Sequence, residues 1–395
     1  MSTTLFVCHE GQRTGAPLLL LWLIRWLVAH TSIRPVVALM RDGPLREEFS
    51  AICPTHTFTR PIAERWTRRL KRRFLDNQAS DPDSWLASVV AKVNPDCLYL
   101  NTLVLGYCLG KISIDTEKTK VISSVHEMEI GLLLSSTKSD IQKQISRSNL
   151  LICEGNSVRE NLVDNYRVDP NQCVVLPAYV PFDRPEQMME LSCDEATQPT
   201  IDQLIQLKKQ GIFLFGFAGS AIDRKGFDIF PILVEACARR FASTPFRAVW
   251  VGCSPGSLAY VKADRDLRLL GAREHALLLP GVSCGAAALR QLDVLSCLSR
   301  EDPGPVVTVE AGAMGIPSVC FQHCGGIAEI ASMGMSVSVK YLDIEAFADA
   351  LFALSQDRER LSMLGKRFQD HVFSTSCIGV QGPKIASLIT GFSGA

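Results

Sequence analysis

The sequence runs to 395 residues, more than one hydrophobic core usually serves and enough for two domains of ordinary size. It is 47% hydrophobic and 21% charged, the make-up of a globular chain with ample material for its cores. Its 41 Lys and Arg balance 41 Asp and Glu to a formal net charge of zero, which argues against a generally basic nucleic-acid binder.

Residues 4–8 read as a first strand, with no targeting segment ahead of them. The loop that follows carries Gly11 and Gly15, spaced Gly-x-x-x-Gly and unlike the dinucleotide fingerprint. Residues 18–28 form an apolar helix too short to span a membrane and interrupted by Arg25. A strand over 35–39 and a turn over 42–44 continue an alternating pattern. From Arg60 to Phe74 the chain reads RPIAERWTRRLKRRF, which puts Trp66, Leu70 and Phe74 at i, i+4 and i+8 among basic flanks. Two readings stand there: a helix drawn to anionic lipid, and a solvated helix packing its apolar stripe inward. A helix over 85–93 and a buried strand over 97–100 follow, and a strand over 121–125 delivers His126 and Glu127 at its carboxyl end. A lone histidine is usually a structural hydrogen-bonder. Residues 150–153 are another strand, and Ser157 and Glu160 have capping-box spacing at the start of the next helix. Residues 174–177 close the first domain, and 178–199, rich in Pro, Asp and Glu, read as a linker.

The second half opens with a strand over 213–219 that enters a loop ending Arg224-Lys225-Gly226. Two cations beside backbone N–H groups suit a diphosphate, although exposed basic pairs are also common on surfaces. Strands over 248–252 and 276–282 lead to the richest stretch. A strand over 293–298 ends in Asp302-Pro303-Gly304-Pro305, a stiff loop, and Pro305 suits the first position of a helix. Val306 and Glu310 share one face of that helix, Gly315 closes it, and a strand over 318–321 leads to Gly325-Gly326 and Glu329. Right-handed crossover places both loops on the same sheet edge, where ligands bind. Backbone groups from Gly304 to Val307 and from Gly325 to Ile327 could hold an anion or hydroxyls, and Asp302 and Glu310 could accept from hydroxyls. Together they suit a sugar joined to phosphate; singly, Asp302 could merely cap a helix and Glu310 be solvated. Cys320, His323 and Cys324 show no fourth ligand and read as a strand end and loop, with no metal site. The 14 cysteines have no dense spacing and fit reduced thiols in a cytosol. Helices over 344–354, 357–364 and 383–389 complete the chain.

Asp302 through Glu310, followed by Ala311 and Gly315-Ile316-Pro317, resembles the paired-acid motif of family-four retaining glycosyltransferases, the glycosyl transferases group 1 with the GT-B fold. Gly325-Gly326-Ile327-Ala328-Glu329 resembles the Gly-Gly-x-x-Glu that follows it there. Three positions depart from the pattern: Asp302 stands for the usual Glu, Gly304 for a common aromatic, and Ser220 for an Arg after the first glycine. The resemblance implies an α/β protein of two doubly wound Rossmann-like domains facing across a cleft. Residues 1–185 would take the acceptor side and 186–370 the nucleotide sugar, with 371–395 returning to the first domain. The implied reaction moves a hexosyl unit, with retention, from a nucleotide-diphosphate sugar to a saccharide or lipid-linked saccharide, with no metal and no cofactor. Arg224 and Lys225 would neutralise the leaving diphosphate, and Asp302 with Gly304, Pro305, Val306 and Val307 would orient the donor sugar. Glu310 would hold the ribose, Gly281 and Val282 would line the base, and Gly325 and Gly326 would close the site. Gly15 and His126 would come from the first domain. The implied setting is cell-surface polysaccharide synthesis in the cytoplasm, with peripheral contact at the inner membrane face through Arg60–Phe74. Two other readings stay open: an epimerase or hydrolase of the same fold, and a catalytically idle sugar-nucleotide-binding protein.

Overall fold

A computed structural model describes residues 2–59, 81–115, 118–189, 191, 194–242 and 244–391. The basic segment Arg60–Phe74 lies outside the described residues. The chain divides into two compact units, Met1–Leu176 with Gln381–Ala395, and Pro177–Val380.

The first unit is built on seven parallel strands: β1 (Thr3–Cys8), β2 (Arg34–Leu39), β3 (Thr55–Thr57), β4 (Cys97–Leu100), β5 (Lys120–Val125), β6 (Leu150–Cys153) and β7 (Cys173–Val175), in the order β3-β2-β1-β4-β5-β6-β7. Strands buried on both faces need continuous apolar runs, and Leu5, Phe6, Val7, Leu98, Leu100, Val121 and Ile122 are all buried. That run is what made β1, β4 and β5 legible. β3 is three residues of Thr55-His56-Thr57 without such a run, and the sequence did not reveal it. The helix Gly15–His30 buries Leu19, Leu20, Leu21, Leu23, Ile24 and Leu27, so its apolar face is core; Arg25 leaves that face and meets Glu48 at 2.8 Å.

The second unit repeats the plan with six parallel strands: β8 (Phe213–Ala218), β9 (Phe246–Val251), β10 (Ala276–Leu279), β11 (Val294–Cys297), β12 (Ser318–Phe321) and β13 (Val337–Val339), in the order β10-β9-β8-β11-β12-β13. Aromatic rings fill its centre: Phe215 stacks on Phe246 at 5.7 Å between centroids, and Phe227 meets Trp250 edge-on at 4.9 Å. Each fully buried ring of this kind contributes roughly 2–3 kcal/mol of burial free energy. Trp250 also donates its indole N–H to the Gly219 carbonyl at 3.0 Å, which ties the core to the loop after β8.

The expected domain limits need correction. The first unit ends at Leu176, nine residues before the expected 185, and the return begins at Gln381 instead of 371. The stretch read as a linker is structured: Val180 pairs with Cys377, Asp183 accepts the Gly379 N–H at 2.8 Å, and a helix runs from Gln198 to Lys209. The return is anchored by size complementarity, since a Cβ on Gly382 would lie 2.5 Å from the Trp26 ring, and Lys120 Nζ donates to the Leu388 carbonyl at 2.7 Å. The helix Asn156–Tyr166 starts with Gly155 at its N-cap, so Ser157 sits inside the first turn and not at the cap of the predicted box.

Candidate functional site

In each unit the strand order reverses beside the first strand, between β1 and β4 and between β8 and β11. At such a switch point the loops leaving the two central strands diverge and open a crevice at the carboxyl edge. Both crevices carry the chemistry of this chain.

In the second unit the loop after β8 makes one tight turn over Asp223–Lys225, closed by Gly226 at φ 76°. Glycine is required there: a Cβ would strike the Leu298 carbonyl at 2.1 Å. This close approach draws the loops after β8 and β11 together. Arg300 N–H donates to the Arg224 carbonyl at 2.9 Å, and Arg224 Nη1 donates to the Glu301 carbonyl at 2.8 Å. Arg300 makes a two-pronged pair with Asp228 at 2.7 and 2.8 Å. Between these contacts Lys225 Nζ meets Asp302 Oδ2, which also accepts from Ser299 Oγ at 3.0 Å. The Asp302 side chain is 3% exposed and that of Lys225 16%, so this ion pair is largely desolvated.

The loop after β12 completes the edge. Asp302 N–H donates to the Cys324 carbonyl at 2.7 Å, and Gly326 N–H donates back to the Asp302 carbonyl at 3.0 Å. Gly325 takes φ 110°, a backbone conformation that favours glycine, and a Cβ on Gly326 would lie 2.3 Å from the Pro303 carbonyl, so the second glycine is dictated by close backbone passage. Two expectations change here. The Gly326 N–H is spent on Asp302 and Pro303 and is not offered to a ligand. Pro305 stands at the N-cap of the helix Val306–Ala313, one position before the first residue. Val306 and Val307 form its first turn, whose N–H groups have no partner within the helix. Glu310 lies on the same helix with no hydrogen-bond partner for its carboxyl group among the described residues, and burial pushes that group up to about 7. Asp302 does not cap the helix; its carboxylate turns to Lys225 and Ser299. Pro280 and Gly281, after β10, are exposed, with Val282 half-buried beside them.

In the first unit His126 follows β5 and Glu154 follows β6, and adjacency of the two strands brings His126 Nδ1 to 2.6 Å from Glu154 Oε1. Both side chains are nearly buried, at 10% and 7% exposure. Burial alone would lower the imidazole's pKa; the Glu154 carboxylate, with Glu127, more than offsets this and raises it. The other nitrogen, Nε2, is buried and has no partner among the described residues. Glu127 reaches back to Thr102 Oγ1 and accepts the His126 N–H at 3.1 Å, holding the ends of β4 and β5 together. His9, after β1, is pushed up to about 10: burial opposes this, and bonds to Cys8 and Glu10 prevail. Gly15 begins the helix that follows, whereas the glycine with steric necessity beside this loop is Gly43, after β2, where a Cβ would lie 2.4 Å from the Gly11 carbonyl.

Residues 213–357, nearly all of the strands and loops just described in the second unit, match the family model of glycosyl transferases group 1. That segment of the chain is similar to glycosyl transferases group 1. No curated protein is similar to this chain in sequence at a significant level. Among solved structures, HepE from Anabaena in complex with UDP-glucose is similar with a TM-score of 0.78 at 17% identity, over 99% of this chain and 100% of that one. Sucrose-phosphate synthase from Thermosynechococcus elongatus gives 0.72 at 13% identity over 98% of each chain. A glycosyltransferase from Rickettsia africae ESF-5 gives 0.71 at 12% identity, over 100% and 99%. The fold of this chain is therefore GT-B. Among the described residues, no helix is long and apolar enough to cross a membrane.

The structure brings Arg224, Lys225, Asp302, Gly304 and Pro305, with Gly325 and Gly326, to one switch point, as their predicted loops required. The sequence reading missed Ser299, Arg300 and Asp228 in the second unit and His9 and Glu154 in the first. His9 and Glu154 each stand directly after a strand, and that position alone could have flagged them.

Proposed function

We propose that this chain is a glycosyltransferase that moves a hexosyl unit, with retention at the anomeric carbon, from a nucleoside-diphosphate hexose to a hydroxyl of a saccharide or lipid-linked saccharide. The observation that carries the reading is the convergence of the Arg224-Lys225 loop with the paired-acid loop at one switch point, inside the segment that matches the family. The second unit binds the donor. Arg224 and Lys225 stabilise the charge that grows on the departing diphosphate as the anomeric C–O bond breaks. Glu310 accepts from the ribose hydroxyls, which supply the hydrogen bonds its half-buried carboxyl group lacks. Gly281 and Val282 lie along the base, and the first-turn N–H groups of Val306 and Val307 serve the donor's anionic oxygens. In the first unit Gly15 and His126 serve the donor as the family resemblance implies, with His126 Nε2 free to meet a hydroxyl.

Two cations at the leaving group make a metal unnecessary in this scheme, so turnover is expected to survive EDTA. Activity abolished by EDTA and restored by magnesium would remove that part of it. The reading as a whole is tested by thermal shift with the UDP, GDP, ADP and dTDP esters of hexoses, beginning with UDP-glucose. A ligand at one hundred times its Kd stabilises by about 2.7 kcal/mol, a shift that is readily measured. If none of the four classes moves the melting temperature, the donor-binding reading fails. Donor consumption that needs no added acceptor would select the epimerase or hydrolase instead. The lipid-side placement rests on Arg60–Phe74, and equal binding to neutral and anionic vesicles at low salt would withdraw it.

A further inference from the structure

We propose that Asp302 is a positioning residue that acts on the donor diphosphate through Lys225 and does not touch the donor sugar. The proposal rests on the donor-binding reading above and assigns Asp302 a different task within it.

The carboxylate has little freedom to reach a sugar. Its backbone is held on both sides, by the Asp302 N–H to the Cys324 carbonyl at 2.7 Å and by the Gly326 N–H to the Asp302 carbonyl at 3.0 Å. The side chain is one methylene shorter than the Glu usual at this motif position, and it is 3% exposed. One oxygen, Oδ2, takes both the Ser299 hydroxyl at 3.0 Å and the Lys225 ammonium. Ser299 is itself fully buried, so this anchor sits beneath the crevice floor and not at its mouth.

Lys225 is the group that needs an anchor. A lysine is a point charge on a flexible four-carbon stem, with three N–H donors and no preferred direction of its own. Here the stem leaves a tight turn closed by Gly226 and runs past the Phe217 ring, with Nζ 5.8 Å from its centroid. Asp302 takes one donor of the ammonium and fixes where the other two point. The arrangement is a second-layer acid behind a phosphate-binding lysine, so its effect belongs to every ligand that carries the diphosphate, with or without a sugar.

The test is calorimetric titration of UDP and of UDP-glucose, or of the diphosphate and hexose ester that the thermal screen selects, into the intact chain. Asp302→Asn is expected to weaken both ligands by the same factor, about tenfold, because the freed lysine must be ordered again by either one. Lys225→Met is expected to weaken both, and the double variant Asp302→Asn with Lys225→Met is expected to be no weaker than Lys225→Met alone. Asp302→Glu should restore part of the loss to both ligands equally, and Ser299→Ala, which keeps the ion pair, should cost both a smaller equal factor. A loss confined to UDP-glucose, additive losses in the double variant, or a gain in affinity overturns the proposal. If Asp302→Asn fails to fold, Ser299→Ala and Lys225→Met carry the same comparison between the two ligands. If the wild-type chain binds no nucleotide at all, it is the donor-binding reading that has failed. If the wild type binds and only the ratio between the two ligands shifts, this inference alone falls.

Discussion

The two switch points have the same strand order and the same edge, yet they are furnished in opposite ways. At the second, charges are committed to one another: Lys225 to Asp302, Arg300 to Asp228, and the Arg224 guanidinium to the Glu301 carbonyl. At the first, His126 is held by Glu154 through one nitrogen while the other is buried and unpartnered among the described residues. A crevice proposed to grip a diphosphate gains from loops locked together before the ligand arrives, since each group fixed in advance need not be ordered on binding. The buried His126 nitrogen instead keeps an unspent donor or acceptor for a group that reaches it. Shared topology thus supplies the place, and the pairing of side chains decides its use.

The largest effect expected from disturbing this contrast is at Lys225. Lys225→Ala leaves Asp302 as an uncompensated buried carboxylate, and loss of one partner of such a pair costs about 3–5 kcal/mol. Urea unfolding should report it together with a collapse of donor affinity, and the double variant with Asp302→Asn should recover much of the stability but none of the affinity. An unchanged urea midpoint in Lys225→Ala would mean that the pair is not desolvated as described.

Glu310→Gln comes next. Removing the acceptor of charge-assisted hydrogen bonds from ribose should weaken nucleotide binding about tenfold. The stability effect has a definite sign. The folded carboxyl group is raised to about 7 from an ordinary 4.5, so its stabilising contribution is complete below pH 4.5 and is lost as pH rises through 7. The variant lacks that falling limb, and its melting temperature relative to wild type should be higher at pH 8 than at pH 5. A relative melting temperature that does not change with pH would show that the carboxyl group is solvated.

Glu154→Gln probes the first unit and should act more gently. It removes the carboxylate that raises the His126 pKa, so the imidazole should titrate at lower pH when followed by its NMR ring-proton shifts. In the wild type the raised pKa stabilises the fold fully below pH 6.5, and that contribution is lost as pH rises through the folded value. The variant should therefore show a flatter stability curve across that window, with turnover lower by roughly tenfold from a misdirected ring. An unmoved titration would disconnect Glu154 from His126. The smallest effect belongs to Gly281→Ala: a Cβ there meets nothing within 4 Å, and stability should change by less than about 0.5 kcal/mol. Any larger loss would show that the open strip after β10 is filled.

Most of the scaffold was legible because parallel strands buried on both faces must be continuous apolar runs, as at Leu98-Tyr99-Leu100 and Val294-Leu295. The site loops were legible because Gly226 and Gly326 serve backbone approaches that no other residue fits, because Gly325 takes a positive φ, and because the acids stand at fixed distance in one loop and helix. Short or polar elements escaped notice, as β3 and the helix Gln198–Lys209 did, since neither carries a long enough pattern against its background.

By itself, then, the sequence determined the doubly wound plan, the strand ends that carry chemistry, and the family of the second unit. Only the tertiary structure decided what each side chain does at those ends. Lys225 and Asp302 lie 77 residues apart, and Glu154 lies 28 residues from His126. Nothing local in either segment announces its partner. They meet because β11 lies beside β8 and β6 beside β5, and at a desolvated sheet edge a charge must be paired at once with whatever opposite charge the neighbouring strand delivers.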